Sequence, residues 1–264
     1  MPGQGQKKAT LTVAVLTLNE EKRIRTCLQS ARFADQLLVV DSGSSDRTVE
    51  IAKQMGAEVH IYPDWQGFAV QRNRLLKHAS GDYIFFLDAD EELNDGIEKE
   101  IKKILENNIE AVGKIKWRMV AFGKELKYLR SISRVERFFV RKSIIEFSGV
   151  VHEEAQLNKS MERFEFKNHV IHFSRDSVSD SLKKLNQYAV LGAAKRISKK
   201  GKVGIFRGIF SASNMFLRSY VLNRGFLCGG AGFLYSLFIA LEAFFRYAIL
   251  AYDIDIDSTA KREK

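Results

Sequence analysis

Hydrophobic positions in the first hundred residues fall into short unbroken runs, separated by polar clusters and by stretches with helical spacing. Residues 11–18, 37–40, 57–62 and 83–88 are aliphatic, β-branched or aromatic and are bounded by turn residues, a pattern that predicts buried strands. Between them, Ile24, Leu28 and Ala31, then Ile51 and Met55, then residues 68–78 recur at helical intervals. Strands alternating with single helices through short loops predict an α/β domain with a mostly parallel, Rossmann-like sheet and right-handed crossovers. A further helix is predicted through Ile97, Ile101, Ile104 and Leu105. The pattern then changes. Residues 111–122 and 134–141 read as strands, 148–154 closes that section, and His169 and His172 flank Val170-Ile171 in another short strand. Beyond Asp176 the periodicity is helical, over 177–200, 205–221 and 232–252. The predicted organisation is one α/β domain over 1–176, a C-terminal helical extension over 177–252 and a loose polar tail over 253–264.

The candidate chemistry collects where strands end. The run Tyr83 to Asp88 passes directly into Ala89-Asp90-Glu91-Glu92. In extended backbone Asp88 and Asp90 point the same way, and two carboxylates side by side call for a cation between them. Mg²⁺ or Mn²⁺, held partly by carboxylates and partly by a substrate phosphate, fits that demand. The bland alternative is a solvated acidic turn with Asp90 or Asn94 capping the next helix. The first strand ends at Thr17-Leu18-Asn19-Glu20-Glu21 and the second at Asp41-Ser42-Gly43, so these groups are expected to share the ligand-binding edge of the sheet. Asp41 can accept the N3–H of a uracil ring, with Ser42 and Gly43 leaving room for a flat base. Asp46, which opens a helix with Arg47-Thr48, reads as a cap. No GxGxxG and no GxxxxGK[ST] is present, so dinucleotide and P-loop readings have no support.

Composition narrows the partners. A net charge of +10 suggests an anionic partner: nucleic acid, a phosphorylated substrate or an anionic membrane surface. The two cysteines, Cys27 and Cys228, have no metal spacing, which points to reduced thiols and a cytoplasmic setting.

These residues carry a resemblance. Thr17-Leu18-Asn19-Glu20-Glu21, Val40-Asp41-Ser42-Gly43-Ser44-Ser45-Asp46-Arg47-Thr48, Gln71-Arg72-Asn73 and Leu87-Asp88-Ala89-Asp90-Glu91 resemble, in order and spacing, the successive motifs of family 2 glycosyltransferases with the GT-A fold. Asp64-Trp65-Gln66-Gly67-Phe68 with Gln71-Arg72 is similar to bacterial lipopolysaccharide core β-1,4-glucosyltransferases. The resemblance implies a donor half over about 10–108 and an acceptor half over about 109–176. It implies a UDP-sugar site formed by Thr17, Asn19, Glu20, Asp41, Ser42, Gly43, Arg72, Asp88 and Ala89, and a metal-binding DxD motif in Asp88 and Asp90. Val151-His152-Glu153 resembles a tripeptide of related transferases. Because the first-half acids are committed to nucleotide and metal, the base of an inverting displacement is expected in the second half: Glu153, with Glu154 and Asp176 as alternatives. His152 and His172 are further candidates for the site, although His169 and His172 read first as structural residues. A zinc site from His152, His169 and His172 is disfavoured, since no cysteine accompanies them.

The expected activity is therefore transfer of a hexose, most plausibly glucose from UDP-glucose, to a lipid-linked or lipopolysaccharide-core glycan. A polyprenyl phosphate or another surface glycan is the alternative acceptor. Nucleotidyl transfer would want a basic phosphate loop where Asn19-Glu20-Glu21 stands. Nucleic-acid binding would want a basic-aromatic motif that is absent. Residues 225–241 carry no charge, and are followed by Phe244, Phe245, Tyr247 and Leu250. Lys195, Arg196, Lys199, Lys200, Lys202, Arg207, Arg218, Arg224 and Arg246 surround them. The apolar run falls short of the ~20 residues a bilayer span needs. The expected outcome is peripheral docking on the inner face of the cytoplasmic membrane, with helix packing or a homodimer as the alternative.

Overall fold

The computed structural model describes residues 8–131, 134–149, 154–194, 196 and 204–253. They form two compact units. Unit 1 comprises 1–117 and 133–172, and unit 2 comprises 118–132 and 173–264.

In unit 1, β1 (Leu11–Thr17), β2 (Gln36–Asp41), β3 (Glu58–Ile61) and β4 (Tyr83–Asp88) are the four predicted strands. They pair in parallel in the order β3-β2-β1-β4. Helices α1 (Ile24–Ser30), α2 (Thr48–Gln54) and α3 (Phe68–His78) make the connections. β1 and β4 lie inside, and Val13, Ala14, Ile84 and Phe85 have no exposed surface. That double-sided burial is why these strands read as continuous apolar runs rather than as alternations. After β5 (Glu91–Glu92) and α4 (Asp95–Glu106) the sheet continues through β6 (Ala111–Ala121), β8 (Val135–Val140) and β11 (Glu162–Arg175), giving the order β4-β8-β6-β11-β5. β8 is antiparallel to both β4 and β6. β11 is 14 residues long, far beyond the short strand expected around the two histidines, and pairs with β5 at Ile171 and His172. β9 (Ile144–Ser148) and β10 (Glu154–Leu157) make a separate antiparallel ribbon. Phe166 packs edge to face on Phe85, Phe138 and Phe164 where the two halves of the sheet meet.

In unit 2, β7 (Lys124–Glu125) pairs with the last residues of β6. Helices α5 (Val178–Ala194), α6 (Ile205–Phe216) and α7 (Gly229–Tyr252) follow. α6 runs into a π-helical turn over Leu217–Leu222, and a 3-10 turn over Gly225–Cys228 leads into α7. The division differs from the expected cut after Asp176. Residues 118–132 join the helical unit because Ala121 and Leu126 pack with Ala231 and Tyr235. The apolar stretch expected to dock on a membrane is also partly interior. Ala231, Tyr235, Phe238, Ala240, Ala243 and Tyr247 are buried along α7. Gly232 sits so close to the 3-10 turn that a Cβ there would lie 2.0 Å from the Gly225 carbonyl oxygen. Arg196 donates to the Tyr247 hydroxyl at 2.7 Å, so it is tied down inside the unit. Lys195, Lys199, Lys200, Lys202 and all of the tail but Asp253 lie outside the described residues.

Candidate active site

The ends of β1 and β2 are stitched into one polar rim. Asp41 is fully buried at the end of β2. Its Oδ1 accepts the amides of Gly43 (2.9 Å) and Ser44 (2.8 Å), and its Oδ2 accepts the hydroxyls of Thr17 (3.2 Å) and Ser44. Four acceptor positions on one carboxylate fold the loop back on itself. Gly43 takes φ +96°, with Pro63 3.1 Å from where a Cβ would stand, so the turn requires glycine. Asn19, itself at φ +55°, donates its amide to Ser44 Oγ at 2.8 Å and accepts from the Ser45 amide at 2.9 Å. The Glu20 amide donates to Thr48 Oγ1 at 2.7 Å. Asp46 accepts from the Thr48 amide at 3.0 Å, the capping role its sequence suggested.

The motif Gln71-Arg72-Asn73 has a simple geometric reading. Consecutive helical residues diverge by about 100°, so the three point to different partners. Gln71 donates to Ser42 Oγ at 2.8 Å. Arg72 reaches Asp88 Oδ1 at 3.6 Å. Asn73 exchanges two hydrogen bonds with the Phe147 backbone on β9, at 2.9 and 2.7 Å.

The two acids have different side-chain partners. The strand stops at Asp88 and the chain turns through Ala89-Asp90. Asp88 is gripped by Arg137 of β8, through Nη1 to Oδ1 at 3.0 Å and through Nη2 to Oδ2. Burial pulls the Asp88 carboxyl upward, but Arg137 and then Arg72 outweigh it and hold it well below the usual carboxylate range. Glu91 turns inward rather than into solvent. Its Oε2 accepts the Asp88 amide at 3.0 Å and its Oε1 accepts the Trp117 indole N–H at 2.5 Å. Burial raises the Glu91 carboxyl, with Arg137 opposing and Asp88 reinforcing. Asp90 goes elsewhere: its Oδ2 is 3.3 Å from Nε2 of His172 on β11. Burial would lower the His172 imidazole, but the hydrogen bond to Asp90 and its charge raise it. The Trp117 ring lies beside it, 5.6 Å between centroids.

The structure thus brings His172, which first read as a structural residue, to Asp90. His169 contributes its carbonyl, which accepts from Asn94 at 2.7 Å. Glu154 is exposed at the start of β10, paired in register with Ser148. Asp176 is exposed in unit 2. His152 and Glu153 lie outside the described residues. Sequence reading missed Arg137, Glu91 and Trp117. Cys27 is buried with its Sγ 3.6 Å from the Asp88 carbonyl, and burial followed by Glu91 and Asp88 pushes its thiol well up, which makes it a packing group rather than a nucleophile. Away from this edge, Glu58, His60 and His78 form a second titratable cluster, with the two imidazoles stacked 3.5 Å apart.

Would a divalent ion fit? Two atoms that ligate one ion at about 2.1 Å each stand roughly 3 Å apart. Asp90 Oδ2 and His172 Nε2 meet that condition, and their side chains are 30 and 23% exposed. Asp88 meets it poorly, since Arg137 already covers both of its oxygens.

A parallel sheet carrying such a polar rim at its carboxyl edge has the ligand-binding edge of an α/β enzyme, and the sequence match gives the class. Residues 12–168 match the model of glycosyl transferase family 2, and the chain belongs to that family; it is a glycosyltransferase of GT-A architecture with a C-terminal helical extension. Family membership displaces the nucleotidyl-transfer and nucleic-acid readings. Among its relatives, the chain is 26% identical over 251 residues to the lipopolysaccharide core biosynthesis glycosyltransferase LpsC of Rhizobium meliloti, covering 90% of each chain. It is 27% identical over 259 residues to an uncharacterised glycosyltransferase of Rickettsia typhi, covering 91% of this chain and 86% of that one. Among solved structures it is similar to TarS of S. aureus bound to UDP-GlcNAc, with TM-score 0.47 and 16% identity over 96% of this chain and 88% of that one. It is also similar to glucosyl-3-phosphoglycerate synthase of Mycobacterium tuberculosis bound to Mn²⁺, UDP and product, with TM-score 0.40 and 23% identity over 52% of this chain and 58% of that one.

Proposed function

We propose that this chain is an inverting, metal-dependent hexosyltransferase that moves glucose from UDP-glucose to a lipid-linked glycan of the lipopolysaccharide-core type, on the cytoplasmic side of the membrane. The observation that supports the metal-dependent donor site is the Asp90–His172 pair, partly exposed beside an Asp88 already neutralised by arginines. Asp90 and His172 would hold Mg²⁺ or Mn²⁺, which when bound supplies Lewis-acid stabilisation of the leaving diphosphate. Arg72 and Arg137 keep Asp88 ionised and the end of β4 fixed. Asp41 reads the uracil by exchanging the Ser44 hydroxyl on Oδ2 for the ring N3–H. Glu153 is the base that deprotonates the acceptor hydroxyl, with Glu154 and Asp176 as the alternatives. The acceptor class is supported by likeness to LpsC over nearly the whole of both chains; a polyprenyl phosphate or another surface glycan is the other acceptor of the same chemistry.

The test is UDP release from UDP-glucose, UDP-galactose and UDP-GlcNAc in the presence of Mn²⁺. Fastest turnover is expected with UDP-glucose. EDTA and Asp90→Asn abolish it, His172→Gln raises the Mn²⁺ concentration it requires, and Glu153→Gln keeps UDP binding while losing transfer. Turnover indifferent to EDTA and to Asp90→Asn would remove the metal from the reading.

A further inference from the structure

We infer that unit 2 carries a lipid-docking surface, built on α6 and the π-helical turn after it, whose partner is the anionic headgroup layer of a bilayer. The inference stands on features that the transfer chemistry does not use. Phe206 and Phe210, one turn apart, are 84 and 75% exposed, and Leu217 and Val221 are exposed behind them. At about 100° per residue these four fall within roughly 60° of one another, so they form one stripe. Leu222, 69% exposed, and Phe226 extend it. The opposite side of α6 is already used. Gly208 lies where a Cβ would stand 3.2 Å from the Phe244 carbonyl of α7, so the stripe is the face left over after packing. A continuous row of large exposed apolar side chains marks an interaction site.

Charge identifies the occupant. From Ser181 to Leu241 the sequence holds ten Lys and Arg and no Asp or Glu. Arg207 and Arg218 are exposed and eleven residues apart, so they line up within about 20° along one flank of the stripe. Arg224 is exposed at its far end. A nucleic acid would use the cations and leave the phenylalanines without a role. A second copy of this chain would bring the same cations against each other. An anionic bilayer satisfies both, with aromatic side chains in the acyl boundary and guanidinium groups at the phosphates. The surface lies in the membrane plane. The segment Gly225–Tyr252 is long and apolar enough to cross a bilayer. However, crossing would strip the buried contacts of α7 and break its Glu242 ion pair with Arg175, 2.5 Å apart.

The experiment is co-sedimentation of the full chain with vesicles of phosphatidylcholine alone or with 30% phosphatidylglycerol (~30 mol% chosen to mimic an anionic leaflet), at low and high salt. Expected is binding to the anionic vesicles only, weakened by salt. Each cation near an anionic surface contributes about fivefold, so Arg207→Glu with Arg218→Glu should weaken binding about 25-fold or more. Because Arg207 also stacks on the Tyr247 ring, Arg218→Glu alone is the second variant, with a loss of about fivefold or more. Phe206→Ser with Phe210→Ser should weaken it as well, while UDP release stays at the wild-type rate in every variant. Binding that ignores the phenylalanine changes, equal binding to neutral vesicles, or a stable dimer indifferent to lipid would each overturn the assignment. Because UDP release is read separately, failure of docking and failure of the transferase reading are distinguishable.

Discussion

At the scale of single residues, the site is governed by which acids have been given a partner. Arg137 is 5% exposed and serves Asp88 and, at 3.5 Å, Glu91. Arg137→Ala should therefore cost about 2–4 kcal/mol in urea unfolding, below the usual loss for a fully buried pair because the Asp88 side chain is 38% exposed. Adding Asp88→Asn should restore part of that loss; a double variant as unstable as the simple sum would mean the two side chains act separately. Asp41→Asn removes a charged acceptor worth about 1.5–3 kcal/mol, so UDP affinity by calorimetry should fall roughly ten- to hundredfold. Ser44→Ala removes the competing hydroxyl, together with the acceptor of the Asn19 amide, and should lower that affinity far less than Asp41→Asn. A pH effect belongs to His78, whose imidazole is lowered by burial, then by His60 and Lys77. The unfolded chain takes up that proton first. Stability from His78 is thus full above about pH 6.5 and is lost as pH falls through the lowered folded value. His172, which is raised, works the other way: its contribution is present below about pH 6.5 and lost as pH rises through its folded value. Urea midpoints at pH 5.5, 6.5 and 7.5 for the wild type and His78→Asn (pH values bracketing ~6.5) isolate the first effect, which should vanish in the variant.

At the scale of elements, each piece of the site is held by a local device. Asn94 caps α4 through Oδ1 and the Ile97 amide at 3.0 Å, and its Nδ2 also donates to the His169 carbonyl on β11. Asn94→Ala should cost about 1–2 kcal/mol, the upper part of the range for a cap, and should loosen the strand that delivers His172. Hydrogen exchange of the Val170 to His172 amides would show that loosening. The four parallel strands were legible in sequence because strands buried on both faces leave continuous apolar runs. Arg137 was not. An arginine next to Phe138 and Phe139 announces a buried charge, but its partner lies 49 residues away and leaves no local mark. β5, two residues long, has no periodicity to read, and so the inward turn of Glu91 left no mark in the sequence. Helical spacing indicated the C-terminal helices but not which of their faces pack inward, so the burial of Tyr235, Phe238 and Tyr247 along α7 was not legible.

At the scale of the whole molecule, the proposed catalytic residues and the proposed lipid-docking surface fall in different units. The matched family region, residues 12–168, lies almost entirely in unit 1 apart from residues 118–132. Gly232→Ala tests the packing of unit 2 directly. Its new methyl would collide with backbone that cannot yield, so a loss of about 1–3 kcal/mol is expected in a helix-monitored melt. UDP release normalised to folded protein should be unchanged.

The indole of Trp117 is placed to report on metal at Asp90 and His172. It is held by Glu91 and lies against His172, and the other tryptophan, Trp65, sits apart from it near Phe68. With Trp65→Phe the enzyme becomes a single-emitter sensor of its own active site. A paramagnetic ion arriving at Asp90 and His172 would darken Trp117 within a few ångströms, while diamagnetic Mg²⁺ would leave it bright. Emission intensity alone would then count metal occupancy without substrate, label or turnover.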